Sequence, residues 1–196
     1  SMLKFSKVSP EVEILKAANV LKKSKDKFEA HNTDVYAFKE SLENHHVTEM
    51  SALVLGSSGG AKAAILGLYQ MGVKDIFVKA RDYSGFKKFD IPVQDYRDQK
   101  PNIVVQATTL GLVNTSQGEK DLDFFNIDYS NTKISYDLIY SPKKTPFMEI
   151  SLKNKVPHVM NGESMLALQA LKTFEIWFGH QGSKTSNVLE KLKEIL

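Results

Sequence analysis

The 196 residues carry a net charge of +3, 42% hydrophobic residues and no cysteine, which suits one globular domain with some extra structure and excludes a disulfide framework, a thiolate nucleophile and a thiolate zinc site. The lysines are scattered or lie near the ends (Lys22, Lys23, Lys25 and Lys27; Lys191 and Lys193), so they read as a solvated helix or hairpin face, not a nucleic-acid patch. No apolar run is long enough to span a bilayer, the first residues lack a signal-peptide core and the five histidines show no metal-ligand spacing, so a cytoplasmic protein without a metal is expected.

Apolar periodicity predicts a helix over Val35 to Glu43, then a strand over Ala52 to Leu55 and a helix over Ala61 to Met71. Strands follow at Asp75 to Lys79, Asn102 to Gln106 and Ile134 to Ile139, a helix at Pro146 to Asn154, a strand at Val156 to Val159 and a helix at Ser164 to Phe178. Residues 181 to 186 read as a linker to a short amphipathic helix with Val188, Leu189, Leu192 and Leu196. Alternation of this kind predicts an α/β fold, a Rossmann-like doubly wound and mostly parallel sheet with flanking helices.

The segment SALVLGSSGGAKAA at 51–64 is the most telling. A continuously apolar strand runs into Gly56, Gly59 and Gly60, which remove side chains from a close turn, and a helix begins at once. That helix start aims unpaired N–H groups and the positive dipole end at the turn, where a pyrophosphate would sit. Lys62 is not in the GK[ST] context of a P-loop. A purely structural glycine turn and a methyltransferase-type turn both remain open at this point. The end of the second strand, KARDY at 79–83, carries opposed signals: Arg81, helped by Lys87 or Lys88, favours the 2′-phosphate of NADP, whereas an inward Asp82 favours NAD. An ordinary exposed turn is the alternative for that pair.

AAN at 17–19, HNTDVYAF at 31–38, VVQATTLGL at 104–112, YDLIYSPKKTPF at 136–147 and NGESMLALQA at 161–170 resemble the shikimate dehydrogenases in order, spacing and flanking apolar pattern, from about Val8 to Gly179. The resemblance displaces the methyltransferase alternative. It implies NADP-linked, reversible hydride transfer between nicotinamide and the ring carbonyl of 3-dehydroshikimate, in chorismate and aromatic amino acid biosynthesis. It also implies that Asn19, Thr33 and Gln169 hold ring hydroxyls, that Tyr140 stands near the substrate, and that Asp34 both binds a hydroxyl and partners the acid/base group. On the cofactor side it implies Ser57, Ser58, Gly59, Gly60 and Ala61 at the phosphates, Ala107, Thr108 and Thr109 under the riboses, and Gly162 and Leu166 near the nicotinamide. Read without the resemblance, Asn32, Thr33 and Asp34 are a natural helix cap, Gln169 shares a surface stripe with Lys172, and Tyr140 is a strand-end aromatic.

The chain departs from the family pattern at Ser58 and Val35, where glycine is usual, at Gln106 and Ala80, where asparagine is usual, and at Val20, where threonine follows the asparagine. The family's paired serines and its Pro-x-Lys strand with the catalytic lysine precede the AAN segment, and the eighteen residues before Asn19 match neither; Lys4 and Lys7 are poor substitutes. The expected organisation is a remnant of the substrate domain at 1–46, a Rossmann NAD(P) domain at 47–180 and a C-terminal helix at 181–196, with weak or no turnover, and self-association through Phe174, Trp177, Phe178 and Leu192. The second function class is a non-catalytic NAD(P)-binding module for regulation or assembly.

Overall fold

The computed structural model describes residues 5–86, 89–112 and 123–179. Lys4, Lys87, Lys88 and the expected segments at 181–196 lie outside these. In chain order the elements are β1 (Phe5–Val8), α1 (Pro10–Leu15), β2 (Val20–Ser24), β3 (Lys27–His31), α2 (Asp34–Ser41), β4 (Ser51–Leu55), α3 (Gly59–Gln70) and β5 (Asp75–Lys79). After these come β6 (Gln94–Asp95), β7 (Ile103–Gln106), β8 (Ile134–Asp137), α4 (Pro146–Lys153), β9 (His158–Met160) and α5 (Glu163–Phe178), with single 3-10 turns at Ser84–Phe86 and Asp123–Phe125. The chain divides into two compact units. One runs to Asn44 and resumes at Ser164; the other is His45–Glu163.

The second unit is a six-stranded sheet in the order β6-β5-β4-β7-β8-β9, parallel throughout. The chain builds outward from β4 on one side and then returns to lay β7 on the other, so the strand order reverses between β4 and β7. Four of the five residues of β4 and all of β7 and β8 are buried, which accounts for the apolar runs at 52–55 and 103–105. Leu53, Leu55, Phe77, Val104, Phe125, Phe147 and Val156 share one core cluster. Helix α3 buries Ala61, Ala63, Ala64, Ile65, Leu66, Gly67 and Leu68; its small residues let the helix axis come close to the sheet. Ser58 caps its N-terminus and Gly72, at φ +78°, follows its C-terminus.

Two element ends differ from expectation for local reasons. Strand β8 stops at Asp137 instead of Ile139 because the Asp137 carboxylate takes the Ile139 N–H at 2.9 Å and turns the chain. Strand β9 starts at His158 instead of Val156, since Val156 N–H closes helix α4 on Ser151 C=O and Pro157 has no N–H for the ladder.

In the first unit β3 pairs parallel with β1 and antiparallel with β2. The lysine-rich stretch is thus a hairpin with Lys25 at φ +55° in its turn. No strand is predicted ahead of Ala52; the structure has three there. The sequence hid them because six of the ten residues of β2 and β3 are polar or charged and only Val20 and Ala30 are buried hydrophobics. Helix α5, expected within the Rossmann domain, groups from Ser164 onward with this unit. Its Trp177 Nε1 donates to Leu21 C=O at 3.1 Å, and Lys172 Nζ stands 4.8 Å from the Tyr36 ring centroid.

Candidate active site

The C-terminal ends of β4, β5, β7 and β8 surround a cavity of about 610 Å³, at the reversal point where open α/β sheets bind ligands. Ser57, Ser58, Gly60, Arg81, Asp82, Ala107, Thr108, Thr109 and Tyr140 line it. Gly59 and Ala61 lie beside them in the first turn of α3. Gly56, also lining the cavity, has φ +112°, and a Cβ there would come within 3.0 Å of Ala107 C=O; the turn needs a bare backbone, as a cradle for a pyrophosphate does. Ser58 Oγ accepts from Ala61 N–H at 3.2 Å and donates to Ala107 C=O at 2.9 Å, so one hydroxyl caps the helix and ties its turn to the loop after β7.

Arg81 and Asp82 part company at the end of β5. The Asp82 carboxylate accepts from Ser84 N–H at 2.8 Å and from Ser84 Oγ at 2.7 Å, an Asx-type turn that starts the Ser84–Phe86 segment. Arg81 Cζ lies 5.9 Å from the Phe124 ring centroid at the cavity. Both charges line the cavity; the carboxylate also holds its own turn, and the arginine stands beside the aromatic ring of Phe124.

Two buried polar side chains hold the loops that line the cavity. Gln106 ends β7 fully buried; its Oε1 accepts from Thr108 N–H at 2.6 Å and its Nε2 donates to Leu110 C=O at 2.9 Å. Asp137, its register partner on β8, accepts from Ile139 N–H and from Thr145 Oγ1, and Thr145 in turn caps α4. Burial pushes the Asp137 carboxyl up to about 6, and its two hydrogen bonds oppose that rise. Gly162 N–H donates to Ile139 C=O at 3.0 Å, and a Cβ on Gly162 would overlap the Leu138 carbonyl. Gly162 therefore sets the position of the lining pair Leu138 and Ile139 without itself lining the cavity. Leu166, on α5, belongs to the other unit.

That unit holds the expected hydroxyl-binding residues. Asn19 Nδ2 donates to Asp34 Oδ1 at 2.9 Å and to Thr33 Oγ1 at 3.1 Å, while its Oδ1 accepts Thr33 N–H at 2.9 Å. Thr33 Oγ1 lies 3.5 Å from Thr173 Oγ1, whose hydroxyl donates to Gln169 C=O one turn earlier in α5. Asn19, Thr33, Asp34 and the Gln169 turn are thus brought together. Capping of α2 falls to Asn32, whose Oδ1 accepts the N–H groups of Asp34 and Val35, so the side chains of Thr33 and Asp34 are not consumed by it. Partial burial raises the Asp34 pKa, offset in part by the Asn19 amide.

No protein-family model matches the chain. It is 37% identical over 200 residues to the shikimate dehydrogenase (NADP(+)) of Caldicellulosiruptor saccharolyticus, an overlap of 95% of this chain and 71% of that protein. The chain belongs to the shikimate dehydrogenase family. It is also 33% identical over 179 residues to the shikimate dehydrogenase (NADP(+)) of Thermotoga maritima, 90% of this chain and 68% of that protein. Among solved structures, the shikimate 5-dehydrogenase of Thermus thermophilus in complex with NADP(H) and shikimate matches with a TM-score of 0.78 at 25% identity, over 98% of this chain and 73% of that one.

The departures from the shikimate dehydrogenase pattern have local accounts. Ser58 uses its hydroxyl as the clamp just described; Gln106 is long enough to staple Leu110 as well as Thr108. At Ala80 the backbone N–H donates to Tyr83 Oη at 3.2 Å, which itself donates to Val78 C=O and holds the bend after β5. Val20 and Val35 are buried and serve packing. Sequence reasoning missed Phe124, which lies between the predicted strands at 102–106 and 134–139, in none of the segments that carry the family resemblance. It also missed Asp137, although an acid inside the strand predicted at 134–139 was a readable signal.

Proposed function

We propose that this chain is the nucleotide-binding part, with a portion of the substrate-binding part, of an NADP-linked oxidoreductase that interconverts 3-dehydroshikimate and shikimate. The observation that carries the cofactor half is at the end of β5: Arg81 lines the cavity beside the Phe124 ring, where it is at hand for a 2′-phosphate, and the neighbouring Asp82, which also lines the cavity, has each carboxylate oxygen hydrogen-bonded by Ser84. When bound, the nicotinamide would supply or accept the hydride. The chain's own residues do the rest. The α3 start at Gly59 and Gly60 takes the pyrophosphate, and the stapled loop at Ala107, Thr108 and Thr109 supports the riboses. Asn19, Thr33 and Gln169 meet the ring hydroxyls, because an unpaired buried hydroxyl would cost about 1–3 kcal/mol. Tyr140, 48% exposed at the cavity rim, is assigned to the substrate side.

Asp34 holds a proton more readily than an ordinary aspartate, and with Oδ1 engaged by Asn19 its Oδ2 is the atom at which a substrate hydroxyl or an acid/base lysine is met. The family's lysine motif has no counterpart in these 196 residues, so the polypeptide by itself is expected to bind cofactor with little turnover. Among the described residues no helix is long and apolar enough to cross a membrane, and a cytoplasmic site of action is part of the reading. The test is fluorescence titration with NADPH and NADH, followed by shikimate with NADP⁺ and the nicotinamide absorbance. Tighter binding of NADPH supports the reading; a preference for NADH overturns the cofactor assignment. Rapid turnover would overturn the expectation of a missing proton donor, with Lys4 and Lys7 the first to replace.

A further inference from the structure

His45 and His158 lie far apart in the sequence and meet edge to face, with ring centroids 4.9 Å apart and planes at 65°. His45 is the first residue of the second unit, in the connection from α2 to β4. His158 opens β9, which pairs with β8 alone and so forms one edge of the six-stranded sheet. The sheet holds the backbone of that residue: His158 is the register partner of Ile134, and its N–H donates to Lys133 C=O at 3.1 Å. Among the described residues neither imidazole is hydrogen-bonded through a ring nitrogen, although a neutral imidazole carries a nitrogen lone pair that can accept a proton donor or a metal.

The spacing suits a shared ion. A divalent metal about 2 Å from one nitrogen of each ring stands about 3.2 Å from each centroid, and ligand angles of about 90–110° then set the two centroids about 4.5–5.2 Å apart. The observed 4.9 Å falls inside that range, and imidazole is a ligand that suits zinc, copper and nickel. We infer that His45 and His158 are the two protein ligands of a divalent transition-metal site, which ties the α2–β4 connection to the open edge of the sheet. Among the described residues no group of three or more His, Cys, Asp and Glu side chains is placed to hold a metal, so water completes the coordination. The unit runs from His45 to Glu163, and an ion on this pair clips its two ends together. A clip that closes a long loop takes the most entropy from the unfolded chain, so the ion stabilises the fold. It takes no part in hydride transfer: β9 runs parallel to β8, which puts its first residue at the N-terminal edge of the sheet, opposite the nucleotide cavity.

The experiment is calorimetric titration of the 196-residue polypeptide, free of any histidine tag, with ZnCl2 and with CuCl2, alongside its His45→Asn, His158→Asn and His46→Asn variants. One ion per chain is expected, with copper held more tightly than zinc. Losing one of the two ligands should weaken binding by more than about tenfold, the least that loss of a group merely supporting a ligand costs. His46→Asn should stay within about twofold of wild type, because His46 is no part of the pair. Zinc should raise the thermal midpoint of wild type and leave that of His158→Asn where it was, since an ion that binds only the folded chain stabilises it. Electron paramagnetic resonance of the copper form provides a readout that needs no variant: two imidazole nitrogens are expected on the ion, and a single one overturns the inference. So does the absence of saturable binding up to about 1 mM metal. Binding that persists in His158→Asn, or that His46→Asn weakens as much as His45→Asn does, places the ion on the adjacent histidines 45 and 46 or elsewhere and also overturns it.

Discussion

Replacing Asp137 with asparagine isolates a carboxylate buried at the C-terminal end of β8. The side chain is wholly buried, accepts Ile139 N–H at 2.9 Å and the Thr145 hydroxyl, and titrates in the folded protein at about 6 against an ordinary value of 3.8. A folded-state pKa above the unfolded one means that the native protein holds the proton more tightly. The stabilisation is therefore complete below about pH 4 and is lost as pH rises through about 6. A shift of about two units is worth about 3 kcal/mol across the whole window, of which about 1.4 kcal/mol falls between about pH 7.5 and about pH 5. Asparagine cannot titrate. Its amide also leaves the Thr145 hydroxyl to find a new acceptor, but that adds a pH-independent offset, so only the slope carries the argument. Urea unfolding of both proteins at several pH values in that range should show wild type gaining about 1.4 kcal/mol on Asp137→Asn as pH falls. A difference that stays flat, or that moves the other way, would falsify the assignment of a buried, proton-binding Asp137.

Gly162→Ala pushes a methyl into the Leu138 carbonyl, and overpacking against backbone should cost about 1–3 kcal/mol; a thermal midpoint equal to wild type would show that the close approach is not there. Ser58→Ala removes both the α3 cap and the bridge to Ala107 and should destabilise by about 1–2 kcal/mol, whereas Ser58→Gly loses only a few tenths for the cap itself, a contrast readable in denaturant midpoints. Asn19→Ala unties Thr33 and Asp34; shikimate affinity measured calorimetrically with NADPH present should fall tenfold or more while the NADPH Kd stays put, and an equal loss of both would argue against a hydroxyl-binding cluster. Phe174, Trp177 and Phe178 are 59%, 46% and 70% exposed, so sedimentation should show self-association that Phe174→Ser with Phe178→Ser reduces; a monodisperse wild-type monomer contradicts it.

The Rossmann-like unit was legible because its signals are local. An unbroken apolar strand, three glycines and a small-residue helix face each follow from burial on both sides of a parallel sheet, and they stand in consecutive residues from Ser51 to Met71. The three-stranded sheet was not, since β2 reads VLKKS and β3 KFEAH, with charges where alternation would be sought. The same difference separates the site residues. Asn32, Thr33 and Asp34 could be read as a cap or as a site, and both are true of different members: Asn32 caps, and the other two turn to Asn19. No spacing rule could have divided them, because the deciding partner lies 14 and 15 residues away along the chain.

Gln106 and Asp137 carry a more general point about reading strand ends. They are register partners on adjacent strands, both without exposed surface, and each spends its side chain on the loop that follows its own strand. A buried amide or carboxylate left unpaired would cost about 1–3 kcal/mol or more, so an amide or acid closing a fully buried strand is tolerable only where it finds hydrogen-bonding groups nearby. The loop after the strand is the nearest supply. An amide or acid at that position therefore marks a loop held to fixed geometry, and at the C-terminal edge of a parallel sheet those are the loops that meet the ligand. Asp82 obeys the same logic at the surface, tied to Ser84 two residues on. Both Asp82 carboxylate oxygens are engaged by Ser84, so the turn after β5 is held in the same way as the loops after β7 and β8.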